Sequence, residues 1–136
     1  MDIHYISAER LTIARVGEII HNRSQIALSA DAAARIVRCR EYLDDKMQQS
    51  SEPIYGVSTG FGSLCNISIS ADELGTLQKN LVMSHACGTG DRVPSEVVRL
   101  MLLLKVQSLS YGHSGVQLVT VQRLIDFYKN DVLPKV

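Results

Sequence analysis

Aromatic side chains are scarce in this sequence: of its 136 residues, none is tryptophan and two are phenylalanine. Proteins that bind single-stranded nucleic acid usually stack the bases on exposed aromatic rings, so this scarcity argues against such a function. Lysine and arginine together number 14, as do aspartate and glutamate, so the formal net charge is zero. Because no excess of positive charge attracts phosphates, we expect neither nucleic acid nor a membrane as a partner.

Cysteine is also sparse, and its three positions, Cys39, Cys65 and Cys87, lie far apart. An odd number of cysteines without a C-x-x-C pair argues against a disulfide framework and against a zinc site. We therefore expect no metal, and we interpret the cysteines as small buried hydrophobes or as free thiols of a reducing cytoplasm.

Long apolar runs are missing as well. The most apolar stretch, Val97–Leu104, contains Arg99 and is far shorter than the roughly 20 residues that cross a bilayer. The N-terminal residues Met1–His4 do not resemble the basic region and apolar core of a signal peptide. Hydrophobic residues make up 46% of the sequence and charged residues 21%, which is typical of a folded globular protein. The sequence thus predicts a cytoplasmic protein.

The patterning that is present is mostly helical. Ile3–Ile6 is compatible with one short strand, and the apolar spacing from Leu11 to Ile20 predicts an amphipathic helix. Ser29 is the expected N-cap of a second helix, which should end near Gln49.

A third helix is predicted to start at the capping box Ser70–Glu73 and to end at Gly88–Gly90. Its inward stripe comprises Leu74, Leu77 and Leu81, continued by Ser84 and His85.

Two more helices are expected in the C-terminal third. Pro94 suits the first turn of one of them, and Val97–Leu109 is apolar nearly all round, which predicts a central, buried helix. The other spans about Val116–Tyr128 and ends near Asn130. Because no linker or repeat is evident, we predict one all-α, mainly helical domain over residues 1–136.

The segment Tyr55–Ser63 matches no helical period and holds three glycines, which indicates a loop with unusual backbone angles. A tyrosine at the mouth of such a loop could act as a general acid or base if its surroundings lowered its pKa from about 10. The alternative is a structural loop in which Tyr55 only packs and hydrogen-bonds. The residues expected to support a site here are Gly56, Gly60, Phe61 and Gly62.

Other candidate motifs are weaker. Neither glycine-rich segment has the spacing of a phosphate-binding loop, which argues against nucleotide binding. His85 is either a hydrogen-bonded core residue or, beside Ser84, a group that faces a pocket. His113 and Ser114 have no acidic partner nearby and are interpreted as a helix break with a cap.

Several motifs, in the correct order, resemble the aromatic amino acid ammonia-lyases. The likeness covers most of the chain from Ile54 onward, and Ser58 stands where that family usually has asparagine. The matching segments are Tyr55–Gly62, Leu77–Leu81, Ser84–Gly88, Leu104–Lys105, Ser108–Leu109, Gly112, Ser114–Val116 and Asp131–Pro134.

The resemblance implies a helix-rich homotetramer that eliminates ammonia from a small-molecule amino acid. Its electrophile is a methylidene-imidazolone made autocatalytically from an Ala-Ser-Gly tripeptide, which does not occur in these 136 residues. In the family that tripeptide follows shortly after the segment matching Asp131–Pro134. We therefore expect this chain to be an N-terminal portion that is inactive by itself.

The resemblance also implies roles for individual residues. Tyr55 matches the catalytic tyrosine that removes the β-proton, and Ser84 and His85 match the pair that selects the substrate. The Ser-His order resembles the histidine-specific members, which convert L-histidine to urocanate. The alternatives are a tyrosine ammonia-lyase or aminomutase of the same family, or a helical interaction module without catalytic activity.

Overall fold

The computed structural model of the protein describes residues 2–49, 52–60, 62, 69–70 and 72–136. These residues form five helices and two short strands, which confirms the mainly helical class. In chain order the elements are β1 (Ile3–Ile6), α1 (Ile13–His21), β2 (Gln25–Leu28), α2 (Ala30–Gln49), α3 (Leu74–His85), α4 (Ser95–Ser110) and α5 (Leu118–Lys129).

The elements belong to two compact units. One combines Met1–Met47 with Arg92–Val136, and the other is Gln48–Asp91. The first unit contains both strands and the helices α1, α4 and α5, together with most of α2. The second contains α3 and the segment around Tyr55. The single domain expected over residues 1–136 stays a prediction.

The two strands pair in parallel, with Ile3 opposite Gln25 and Ile6 opposite Leu28. The prediction of β1 is confirmed, whereas β2 was missed. A parallel pair needs a crossover connection, and here α1 lies in that connection. Because β2 is only four residues long, its conformation depends on pairing with β1 more than on its own sequence.

The core of the first unit draws on all six of its elements. Arg99 of α4 lies with its guanidinium carbon 5.1 Å from the ring centroid of Tyr128 on α5, a cation–π contact at the edge of this core. The largest fully buried apolar side chains are Ile6, Ile19, Ile26, Ile36, Leu103, Val106, Val121, Ile125 and Tyr128.

Ser29 begins α2 as predicted. Its Oγ accepts a hydrogen bond from the Ala32 backbone N–H over 3.2 Å, and its carbonyl accepts one from the Ala33 N–H over 3.0 Å. The side chain thus satisfies one of the backbone donors that a helix start leaves unpaired. The helix continues to Gln49, where the sequence predicted its end.

The helix α4, which is predicted to be central and buried, is buried on one face and exposed on another. Val98, Leu102, Leu103, Val106 and Leu109 are buried, but Val97, Met101 and Leu104 are 44%, 48% and 45% exposed. Apolar residues on every face allow a helix to be buried but do not supply the neighbours that cover it. Pro94 is the N-cap of α4, one position before the first turn in which it was expected.

The predicted capping box does not begin α3. Glu73 is the N-cap without a side-chain cap, and the Ser70 hydroxyl instead donates to Glu73 Oε2 over 3.1 Å. The helix also ends earlier than expected, at His85. Gly90, which has a φ of 91°, lies five residues further on, so the glycines follow the helix without capping it.

Among the described residues no helix is long and apolar enough to span a membrane. Within the same residues no cluster of three or more His, Cys, Asp or Glu side chains could hold a metal ion. Cys39 and Cys87 are free thiols, the first half-buried and the second exposed. Cys65 lies outside the described residues.

Gly112, which follows α4, lies against the backbone of α2. Its φ is +74°, and a Cβ added there would lie 2.9 Å from both the carbonyl oxygen and the Cβ of Arg35. Gly17, in the interior of α1, has a helical backbone and nothing within 4 Å of such an added Cβ. The structure therefore disfavours a side chain at Gly112 and has room for one at Gly17.

We expect Gly112→Ala to lower the free energy of unfolding by about 2–4 kcal/mol, through left-handed strain and overpacking. Gly17→Ala, its matched control, should raise the stability by about 0.5–1 kcal/mol, because alanine is favoured in a helix interior. Urea denaturation of the 136-residue chain measures both. Equal effects of the two substitutions would contradict the close approach at Gly112.

Candidate active site

The segment around Tyr55 forms a tight turn, as the sequence predicted. The backbone N–H groups of Val57 and Ser58 both donate to the Ile54 carbonyl over 3.0 Å. Gly56 has a φ of 70°, a conformation that glycine adopts at low cost. The tyrosine therefore stands at the start of a turn with a defined hydrogen-bonding pattern.

Ser58, where the family usually has asparagine, closes this turn. Its hydroxyl oxygen accepts a hydrogen bond from the Ile54 N–H over 2.9 Å. Its carbonyl accepts one from Ile69 over 3.0 Å. A short hydroxyl that bonds nearby backbone groups is a common turn device. Although serine stands in place of asparagine, a side chain therefore still closes the turn.

Thr59, which sequence reasoning did not single out, is fully buried. Its hydroxyl accepts from the Gly56 N–H over 3.3 Å and donates to the Gly60 carbonyl over 3.0 Å. The available signal was a hydroxyl residue between glycines, a combination typical of turns stabilised by a side chain.

The expected site residues of the turn differ in their accessibility. Tyr55 is 63% exposed, so its ring is accessible to solvent in this chain. Gly60 is buried and Gly62, with a φ of 58°, is exposed. Phe61 lies outside the described residues.

A side chain of α3 holds the turn. The amide nitrogen of Gln78 donates to the carbonyl of Gly56 over 3.2 Å and to that of Val57 over 3.1 Å. Gln78 is part of a motif quoted above, but sequence reasoning assigned it no role. Its signal was a polar residue next to the leucine stripe, which is usually a solvated position.

Ser84 and His85 occupy the last turn of α3, and both are exposed, so the interpretation of His85 as a core residue was wrong. His85 Nδ1 lies 2.8 Å from the Leu81 carbonyl oxygen, and the Ser84 hydroxyl donates to the same oxygen over 3.0 Å. A carbonyl oxygen can only accept, so Nδ1 carries the proton in this contact.

The turn and His85 are related through α3. Gln78 and His85 are seven residues apart, which is about two helical turns and roughly 10 Å along the axis. At about 100° per residue, both side chains emerge from nearly the same face of the helix. The face that binds the tyrosine turn therefore also carries the predicted substrate-selecting histidine at its end.

The fold and this site define a class of protein. The chain superposes with a TM-score of 0.92 on an ergothioneine-degrading ergothionase from Treponema denticola, which is 28% identical; the match covers 98% of this chain and 27% of that one. It superposes with a TM-score of 0.87 on a tyrosine aminomutase from Streptomyces globisporus, which is 27% identical, over 96% of this chain and 24% of the other. It thus has the fold of part of these two enzymes.

The sequence comparisons are more specific. Residues 11–136 match the aromatic amino acid lyase family, and the chain belongs to that family. A histidine ammonia-lyase from Deinococcus radiodurans is 46% identical over 118 residues, which make up 87% of this chain and 22% of the relative. Histidine ammonia-lyases from other organisms also match. The chain spans about a quarter of the length of the curated relatives that it matches.

Proposed function

We propose that the protein to which this chain contributes is a carbon–nitrogen lyase that eliminates ammonia from L-histidine to give urocanate. The observation that carries this proposal is the face of α3 that carries both Gln78, which binds the Tyr55 turn, and His85. The 46% identity to a histidine ammonia-lyase supports the choice of substrate.

Tyr55 is the proposed general base. In the elimination its phenolate oxygen takes the β-proton, the electrons of the C–H bond form the Cα–Cβ double bond, and the C–N bond breaks as ammonia leaves. A tyrosine does this only when it is deprotonated. Gly56, Gly60, Phe61 and Gly62 are proposed to support the turn that presents it.

His85 is the proposed recognition group for the substrate imidazole. With the proton on Nδ1 directed to the Leu81 carbonyl, Nε2 can accept a hydrogen bond from the ring N–H of the substrate. Ser84, which also donates to that carbonyl, is small and leaves room beside the imidazole.

The family's methylidene-imidazolone cannot form from these residues, because the 136-residue sequence contains no Ala-Ser-Gly tripeptide. We propose that the group comes from another part of the protein, where it supplies the electrophile for the amine. The roles of Tyr55 and His85 require it, so residues 1–136 alone are proposed to be inactive. The homotetramer and the cytoplasmic location implied by the resemblance belong to the same proposal.

The second candidate is a tyrosine ammonia-lyase or aminomutase, which is favoured by the superposition on the tyrosine aminomutase. The test uses a full-length protein that contains this segment, supplied in turn with L-histidine, L-tyrosine and L-phenylalanine. Appearance of the ultraviolet absorbance of urocanate supports the proposal. Faster turnover of tyrosine would support the second candidate, and no turnover of any amino acid would favour a non-catalytic helical module.

A further inference from the structure

We propose that Gln78 is a positioning residue for Tyr55, a role that rests on the proposed function of Tyr55 as the base. The Gln78 side chain donates to two successive carbonyls of the turn, Gly56 at 3.2 Å and Val57 at 3.1 Å. These are the two residues that directly follow Tyr55 in the chain. Gln78 is not part of the leucine stripe of α3, and its side chain is exposed.

The N–H groups of the turn donate to acceptors within the turn, whereas these two carbonyls accept from a side chain of α3. Inside the turn, the N–H of Gly56 donates to Thr59 Oγ1, and the N–H groups of Val57 and Ser58 donate to the Ile54 carbonyl. The Gly56 and Val57 carbonyls are bound by Gln78. Internal bonds therefore define the shape of the turn, while Gln78 attaches it to a helix.

Holding two consecutive carbonyls restricts the backbone strongly. Each peptide group is planar, so binding its carbonyl oxygen orients the whole plane. Gly56 has a φ of 70°, and glycine readily exchanges such a conformation for others. Gln78 binds the two peptide planes that follow Gly56, and the plane that precedes it is bound through its N–H to Thr59 Oγ1. Together these bonds reduce the freedom of Gly56 and restrict the direction of the Tyr55 Cα–Cβ bond relative to α3.

Glutamine suits the chemistry of this contact. Its side-chain amide carries two N–H donors on one nitrogen, one for each carbonyl. Glutamate has nearly the same size and helix propensity, but its carboxylate only accepts and would repel both oxygens. Leucine offers no donor. Asparagine has the same donors but is one methylene shorter.

If the base is held less firmly, we expect kcat to fall more than the affinity for the substrate. Displacing a catalytic group by about 1 Å can cost on the order of 10²-fold in rate. We therefore expect Gln78→Leu to lower kcat for the proposed elimination by about 10–10²-fold, with KM changed less than about threefold. Gln78→Glu should lower kcat similarly. The negative charge that this substitution introduces near the tyrosine disfavours the phenolate. The limb of the pH–rate profile on which the base loses its proton should therefore move to higher pH.

The experiment uses a full-length protein that contains the segment, with Gln122→Leu as the matched control. Gln122 is an exposed glutamine in the interior of α5, so its variant makes the same chemical change elsewhere. Circular dichroism and thermal unfolding first establish that each variant is folded. If Gln78→Leu does not fold, Gln78→Glu carries the test.

The proposal is overturned if the folded Gln78 variants keep the kcat and pH–rate profile of Gln122→Leu. It is also overturned if kcat and KM change only in step with a loss of thermal stability, since that pattern indicates a structural role alone. A wild-type protein that releases no urocanate from histidine would instead refute the proposed function. The two failures are therefore distinguishable.

Discussion

Replacing Tyr55 with phenylalanine should lower kcat for histidine elimination by about 10²–10⁴-fold, the contribution typical of a positioned general base. The substitution removes the phenolic oxygen and keeps the ring. The turn is held by backbone groups, hydroxyls and Gln78, so its shape should persist. The measurement is the initial rate of urocanate formation by the full-length enzyme at saturating histidine.

The control for this experiment is Tyr42→Phe, which removes the hydroxyl of another exposed tyrosine, on α2. It should leave kcat within about twofold of the wild type, as expected of an exposed substitution outside the proposed site. The ultraviolet absorbance of the imidazolone should be the same in both variants. Near-normal turnover by Tyr55→Phe with that absorbance intact would reject Tyr55 as the base.

The second large effect concerns substrate choice. A site built to hydrogen-bond a polar group rejects analogues without it by on the order of 10⁴-fold. We therefore expect the wild-type enzyme to prefer histidine over phenylalanine, in kcat/KM, by about that factor. His85→Leu should reduce kcat/KM for histidine by about 10²-fold, because the ring N–H of the bound substrate loses its acceptor. For phenylalanine, kcat/KM should rise or stay unchanged.

His113→Leu is the matched control for His85→Leu, since His113 is also exposed but lies in the loop between α4 and α5. It should leave the ratio of histidine to phenylalanine turnover unchanged. Measuring kcat/KM for histidine, tyrosine and phenylalanine in each variant decides the matter. A selectivity ratio that His85→Leu does not alter would remove His85 from substrate recognition.

Much of the fold was predictable because its signals are local. The Ser29 cap specifies the start of α2 through a bond that spans three residues. The apolar periodicity of α1 and α5 likewise depends only on neighbours one or two turns away. The glycine-rich segment after Tyr55 was predictable as a loop for the same reason, since glycine by itself readily adopts the backbone conformation that Gly56 has.

The start of α3 shows where a local signal fails. The sequence Ser70–Glu73 has the pattern of a capping box, yet the Ser70 hydroxyl bonds the Glu73 side chain and the helix begins at Leu74. The same two side chains can bond each other or the backbone, and the path of the chain before the helix selects between these arrangements.

The amino-acid sequence by itself determined the helical class, most helix positions, the turn at Tyr55 and the motifs of the family, since each depends on residues close together in the chain. Only the tertiary structure decided the pairing of β2 with β1, the exposed face of α4 and the exposure of His85. It also decided that Gln78 binds the turn, across 21 and 22 positions of sequence. Such contacts depend on which segments meet after folding, and a hydrogen bond between distant residues leaves no periodicity in the sequence.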